Sequence, residues 1–187
     1  MERLEPVLRV ARPADATRVE ALMKASAESI FPRWYDERQS ASAVRYVAQV
    51  DEMLLHDGTF FVLEVGGELV ACGGWSRRDR LYTGSGEGEA DSRLLDPAAE
   101  PARVRAMFVR DDWTRRGLGR RILETCEAAA RDEGFRRLAL GSTLPGVPLY
   151  LAYGFEAVEE LDVVLEDGVR LQAVSMEKTI ESRAAVA

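Results

Sequence analysis

The amino-acid sequence predicts an α/β protein, and three stretches carry that prediction. An apolar strand at 102–109 runs into the loop Thr114-Arg115-Arg116-Gly117-Leu118-Gly119, and a helical pattern follows with Leu118, Ile122, Cys126 and Ala129 on one face. Two alternating β-rich runs, 59–65 and 68–75, are joined by Gly66-Gly67, whose glycines tolerate the positive φ of a tight hairpin. Asp167-Gly168 marks a second hairpin between the alternating runs 156–165 and 169–176. Strands interleaved with helical patterns imply a sheet layered against helices.

The remaining elements follow in order. Residues 6–10 alternate as a first strand, stopped by Arg12-Pro13, and Ala16, Val19, Leu22 and Met23 then recur at helical spacing. A poorly periodic segment at 26–40 holds Phe31, Pro32, Trp34 and Tyr35, and a second helical stretch runs through Val44, Val47 and Val50. His56, the only histidine, is read as a surface loop residue before the hairpin. The central helix is expected over 116–133, where Gly134 followed by Phe135 reads as a Schellman-type stop. A strand at 138–141 leads through Ser142-Thr143, Pro145 and Pro148 to a short helix carrying Tyr150. The tail after Ile180 is expected to fray.

A chain of 187 residues, 47% hydrophobic, suits one well-packed domain over 1–187, with a polar loop or insertion at 76–100. Twenty-five basic against thirty-two acidic residues give a formal charge of -7, which argues against general nucleic-acid or anionic-membrane binding. Cys72 and Cys126 fall in a strand and a helix, as buried thiols do in a reducing compartment. The start of the chain lacks a signal-peptide core and no apolar run reaches membrane-spanning length, so a cytoplasmic location is expected. No Cys/His/Asp spacing suggests a metal site.

Against that acidic background the basic loop stands out. Gly117 and Gly119 leave the backbone open, and the N–H groups of the first helical turn have no carbonyl partners. The helix dipole adds positive potential there, and Arg115, Arg116, Arg120 and Arg121 add four full charges. The loop therefore reads as a pyrophosphate cradle. It is not a dinucleotide fingerprint, which needs a third glycine where Ile122 stands, nor a P-loop, which needs Gly-Lys-Ser/Thr.

What remains resembles motif A of the GNAT superfamily of acetyl-CoA-dependent N-acetyltransferases, Arg/Gln-x-x-Gly-x-Gly/Ala after a strand, with Thr114 departing at its first position. Further on, Leu149-Tyr150-Leu151-Ala152-Tyr153-Gly154-Phe155 resembles the Tyr-x-x-x-Gly-Phe signature of GNAT motif B. Together the two cover roughly residues 100–160. The resemblance implies the GNAT fold, a mixed six- to seven-stranded sheet with helices on both faces. It implies acetyl-CoA as cosubstrate, a small-molecule or peptide primary amine as acceptor, and direct attack without a covalent intermediate. A homodimer is an expectation by analogy alone.

The same resemblance assigns residues. Met107, Phe108 and Val109 would offer backbone groups to the pantetheine arm and thioester, with Thr114 to Arg120 as cradle, and Thr143 would contact the cofactor arm. Tyr150 would be the acid that protonates the leaving thiolate; an unperturbed tyrosine, pKa about 10, can donate to a thiolate whose reference is about 8.5. Trp34 and Tyr35 fall in the segment that walls the acceptor pocket, or they simply cover the core. Some relatives place a base where Arg103 and Arg105 stand, and arginine cannot serve as one. Both arginines are instead candidates to grip an acidic group on the acceptor, unless they pair with carboxylates of the preceding loop. Glu28 and Asp36 are unranked candidate bases, and Cys126 is an unlikely nucleophile. The competing reading is a noncatalytic acyl-CoA-binding module, and the missing base is its support.

Overall fold

Gly66 and Gly67 adopt φ of 57° and 86°, and the turn they make sets Val65 opposite Glu68. In the computed structural model, which describes residues 5–79 and 93–181, that hairpin lies within a seven-stranded mixed sheet. Its strands are β1 (Val7–Val10), β2 (Phe60–Val65), β3 (Glu68–Ser76), β4 (Ala102–Val109), β5 (Arg137–Thr143), β6 (Glu156–Val164) and β7 (Arg170–Thr179). They lie in the order β1-β2-β3-β4-β5-β7-β6. All named neighbours are antiparallel except β4 and β5.

The helices are α1 (Ala16–Ile30), α2 (Glu37–Tyr46), α3 (Glu52–Asp57), α4 (Leu118–Asp132) and α5 (Val147–Tyr153). Alternation along β2 divides the core in two. Phe60 and Val62 join Val19, Met23 and Leu54 of α1 and α3, whereas Phe61 and Leu63 join Ile122, Leu123 and Cys126 of α4. The helices thus cover both faces of the sheet, as expected.

Three local expectations need correction. Helix α3 was not foreseen: Asp51 caps it, accepting from the Met53 N–H at 3.1 Å, and Leu54 and Leu55 are buried. His56 therefore sits in the last turn of a helix and not in a loop. Helix α4 begins at Leu118, because Arg115 and Gly117 take φ of 61° and 77°, which no α-helical turn accepts. On its buried face Leu118, Ile122 and Cys126 are buried as expected; the face also takes in Leu123 and Ala130, and Ala129 is only partly buried.

The end of α4 fits the expected stop. Gly134 has φ 93°, its N–H bonds the Arg131 carbonyl at 2.9 Å, and the Phe135 N–H bonds the Ala130 carbonyl at 3.1 Å. The polar stretch after β3 starts as a narrow neck, where Leu95 N–H bonds the Arg77 carbonyl and Asp79 N–H the Arg93 carbonyl. Its middle, 80–92, and the tail after 181 lie outside the described residues. Among the described residues no helix is long and apolar enough to cross a membrane.

Candidate active site

The site arises where the one parallel strand pair gives way. β4 and β5 pair only at Ala102 with Leu138 and Arg103 with Ala139, and beyond that they diverge. Buried backbone groups require partners, so the inner edge of β4 beyond Arg103 has groups with which a ligand could pair. A bulge reinforces the divergence. Register passes from Cys72 opposite Phe108 to Gly74 opposite Arg105, so Ala106 and Met107 together face the single Gly73. Ala106 takes φ 56°, rare for a residue with a side chain.

A cleft of about 700 Å³ opens along this divergence, bounded by α1, β4, the start of α4, β5 and α5. Met107, Phe108 and Val109 line it, and Met107 and Val109 also pack on the core. At its far end lie Thr114, Arg115, Gly117, Gly119 and Arg120. The first main-chain bond of α4 is Arg121 N–H to the Gly117 carbonyl at 3.0 Å, and no side chain caps the helix. Its leading N–H groups are therefore donors without helical acceptors, aimed as an anion site requires.

The two cradle glycines serve different ends. Gly117 has open space where a Cβ would stand and needs glycine for its left-handed φ. At Gly119 a Cβ would come within 2.8 Å of Leu149 Cδ2, so glycine there lets α5 approach α4. Thr114 anchors the loop: its hydroxyl donates to the Asp111 carbonyl at 2.8 Å. Arg115 and Arg120 line the cleft, Arg120 also bonding Glu124 at 3.0 Å. Arg116 stacks on Trp113, 4.4 Å from its centroid, Arg121 donates to the Pro6 carbonyl, and Leu118 is buried in the core.

Tyr150 and Thr143 border the same cleft. Among the described residues no protein group hydrogen-bonds the Tyr150 hydroxyl. Burial pushes that phenol well above the usual tyrosine value, so it stays protonated. Tyr153 instead stacks beside Phe155, its centroid 6.2 Å away.

Trp34 also lines the cleft and is half exposed, and Ile30 and Val47 line it too. Tyr35 is buried, and its hydroxyl accepts from the Leu144 N–H at 2.8 Å while donating to the Gln172 carbonyl at 2.7 Å. That oxygen ties the segment between α1 and α2 to the loop before α5 and to β7, and Tyr35 does not itself line the cleft. Arg105 reaches the cleft and pairs with Asp51, both side chains almost fully buried. Arg103 meets Asp79 at 2.9 Å, a carboxylate of the loop that follows β3. Of the candidate bases, Glu28 is exposed, and Asp36 caps α2 by accepting from the Gln39 N–H at 2.7 Å. The cleft's own carboxylate, Asp111, is held by Ser29 at 2.7 Å and Arg33 at 2.6 Å.

Sequence reasoning missed Ser26, whose hydroxyl donates to the Val109 carbonyl at 2.7 Å and docks α1 on β4, and Gly146, where a Cβ would lie 2.9 Å from the Tyr150 ring. A serine mid-helix and a glycine between prolines carry no local signal of such contacts. Both thiols are buried: burial raises Cys72 to about 12 and Cys126 further, so neither is a nucleophile. Among the described residues no cluster of potential ligands could hold a metal.

A splayed strand pair leading to an uncapped, arginine-flanked helix start is an arrangement suited to an elongated ligand that carries phosphate. Comparison with known proteins agrees. Residues 19–155 match the model of the acetyltransferase (GNAT) family, and the chain belongs to that family. No curated protein matches the chain by sequence. Solved structures share its fold: a GCN5-related N-acetyltransferase from Rhodopseudomonas palustris aligns at TM-score 0.71 with 20% identity, over 96% of this chain and 98% of that one. PaiA N-acetyltransferase from Thermoplasma acidophilum, in complex with coenzyme A, aligns at 0.65 with 14% identity over 94% and 99%. YncA from Salmonella typhimurium, a putative acetyltransferase with its cofactor acetyl-CoA, aligns at 0.62 with 17% identity over 97% and 98%.

Proposed function

We propose that this acetyltransferase uses acetyl-CoA to acetylate a primary amine of a small molecule or peptide by direct attack. The observation that carries the reading is the cradle itself, an uncapped helix start with Gly117 at φ 77° and open space above it, continuous with the splayed β4 edge. The chain's residues fit the cosubstrate. Backbone N–H groups from Arg115 to Arg120 suit the pyrophosphate, and the Arg115 and Arg120 side chains flank it. The cleft volume, about 700 Å³, suits an extended ligand.

Acetyl-CoA supplies an activated acyl group as a thioester. The open edge of β4 at Met107 to Val109 offers backbone donors where negative charge develops on the thioester oxygen. Tyr150 holds a proton at its hydroxyl for the departing sulfur. Asp111 is engaged with Arg33 and Ser29, and the acceptor attacks as the neutral amine, its ammonium proton having passed to bulk buffer through the open cleft.

The acceptor wall is largely apolar, through Ile30, Trp34 and Val47. Arg105 is the one of the two arginines that lines the cleft, and an acidic group on the acceptor would engage it beside Asp51. The reading is tested by following thiol release from acetyl-CoA across a panel of amines with apolar bodies, with and without a carboxylate. Release that depends on an amine supports the assignment, and its absence from every amine counts against it. Substituting Arg105→Ala and comparing Michaelis constants separates the acidic-acceptor component. A change confined to carboxylated amines supports it, and an equal change in all of them removes it.

A further inference from the structure

We propose that Cys72 is a positioning residue for acyl transfer: from β3 its thiol holds the Ala106 carbonyl of the β4 bulge and so aims the Met107 backbone into the cleft. This rests on the acetyl-CoA reading above. The thiol is completely buried, and its sulfur lies 3.6 Å from the Ala106 oxygen, within reach of an S–H donor.

The need for such a clamp comes from the bulge. Where Ala106 and Met107 face one residue, a carbonyl is displaced from the ladder and needs another donor. Ala106 also takes φ 56°, a conformation that persists only where surrounding contacts enforce it. Two contacts from β3 do so. On one side the Cys72 thiol donates to the Ala106 carbonyl. On the other, Gly73 leaves space for Met107, whose Sδ and Cε would stand 2.8 Å from a Cβ there. The bulged residues line the cleft, so the clamp sits directly behind the strand that meets the thioester. Burial holds the thiol protonated, with its pKa at about 12, so the donor is present throughout the physiological range.

The test compares Cys72→Ala, Cys72→Ser and Cys72→Val. Loss of the donor in the alanine and valine variants is expected to lower kcat/KM for acetyl-CoA about tenfold, the kinetic equivalent of one hydrogen bond. The dissociation constant for CoA, which the cradle sets, should stay within about twofold. The serine variant keeps a donor and should recover most of the rate. A second readout needs no turnover: amide hydrogen exchange at residues 105–109 of the ligand-free protein should quicken in the alanine and valine variants and not in the serine variant. If kcat/KM and exchange are unchanged in Cys72→Ala, or if serine falls as far as valine, Cys72 merely fills space and the proposal is overturned. Wild-type protein that neither binds CoA nor turns over acetyl-CoA would refute the broader reading, and the exchange comparison would still decide the clamp.

Discussion

The rings of Tyr150 and Phe155 meet edge to face across the glycine that ends α5, centroids 5.6 Å apart and planes at 70°. The backbone explains why. Gly154 at φ 108° lets its own N–H bond the Leu151 carbonyl at 3.1 Å and the Phe155 N–H bond the Tyr150 carbonyl at 2.9 Å. The Tyr-x-x-x-Gly-Phe spacing is therefore a Schellman cap with its apolar contact, and it fixes the ring that borders the cleft. Replacing Tyr150 with phenylalanine keeps that contact and removes only the hydroxyl. We expect stability within about 0.5 kcal/mol of wild type and a fall in kcat of about 10²-fold or more. Because burial raises the phenol pKa, the wild-type rate should show no loss of this acid below about pH 10. Melting curves and pH–rate profiles of the two proteins check both statements.

The cap can be tested through its glycine. Gly154→Ala places a side chain at φ 108°, and the left-handed region costs such residues about 1–2 kcal/mol. Urea unfolding should show that loss, and a full-strength cap in the variant would contradict the assignment.

Arg105 and Asp51 form an ion pair with both side chains almost wholly buried. Asp51→Asn removes a carboxylate that pairs with a buried guanidinium, and breaking a buried pair costs about 3–5 kcal/mol. Denaturant unfolding should register a loss of that size. A loss below about 1 kcal/mol would mean that the pair matters little to the fold.

Much of this architecture was legible in the sequence, because its signals are local. Gly66-Gly67, Gly134-Phe135 and Gly154-Phe155 each encode a backbone conformation that few residues other than glycine adopt readily, and the spacing of Leu118, Ile122 and Cys126 declares one face of α4. What stayed hidden depends on contacts distant in the chain. The bulge at Ala106 is visible only against β3, Arg103 finds Asp79 twenty-four residues away, and the Tyr35 hydroxyl bridges to residues more than a hundred positions on. Helix α3 escaped because six residues are too few to show a period, although its Asp51 cap was present in plain sequence. Within the cradle, the pattern marked two glycines that leave the backbone open to a ligand, and the approach of Leu149 to Gly119 could come only from packing.

At the first strand, Asp15 receives two hydrogen bonds from Arg9, at 2.7 and 2.9 Å, and one from its own turn at the Arg12 N–H. The Arg9 bonds, above all, lower its pKa to about 2. A depressed carboxyl stabilises the fold above its unfolded pKa, so this contribution is lost as pH falls from about 4 to about 2. Asp15→Asn should be less stable at neutral pH, and its stability should change less than that of wild type across that acid window. Parallel acid titrations of unfolding would show the difference, and superimposable slopes would contradict it.

The most direct test of the account is thermal unfolding with and without acetyl-CoA, for wild type and for Gly117→Glu. A ligand bound only to the native state adds about 2.7 kcal/mol at a hundred times its dissociation constant, so the wild-type midpoint should rise clearly. Glutamate sets a negative charge and a strained left-handed backbone in the cradle, and the rise should vanish in the variant. No rise in wild type at saturating concentrations, or an equal rise in both proteins, would contradict acetyl-CoA binding at this helix start.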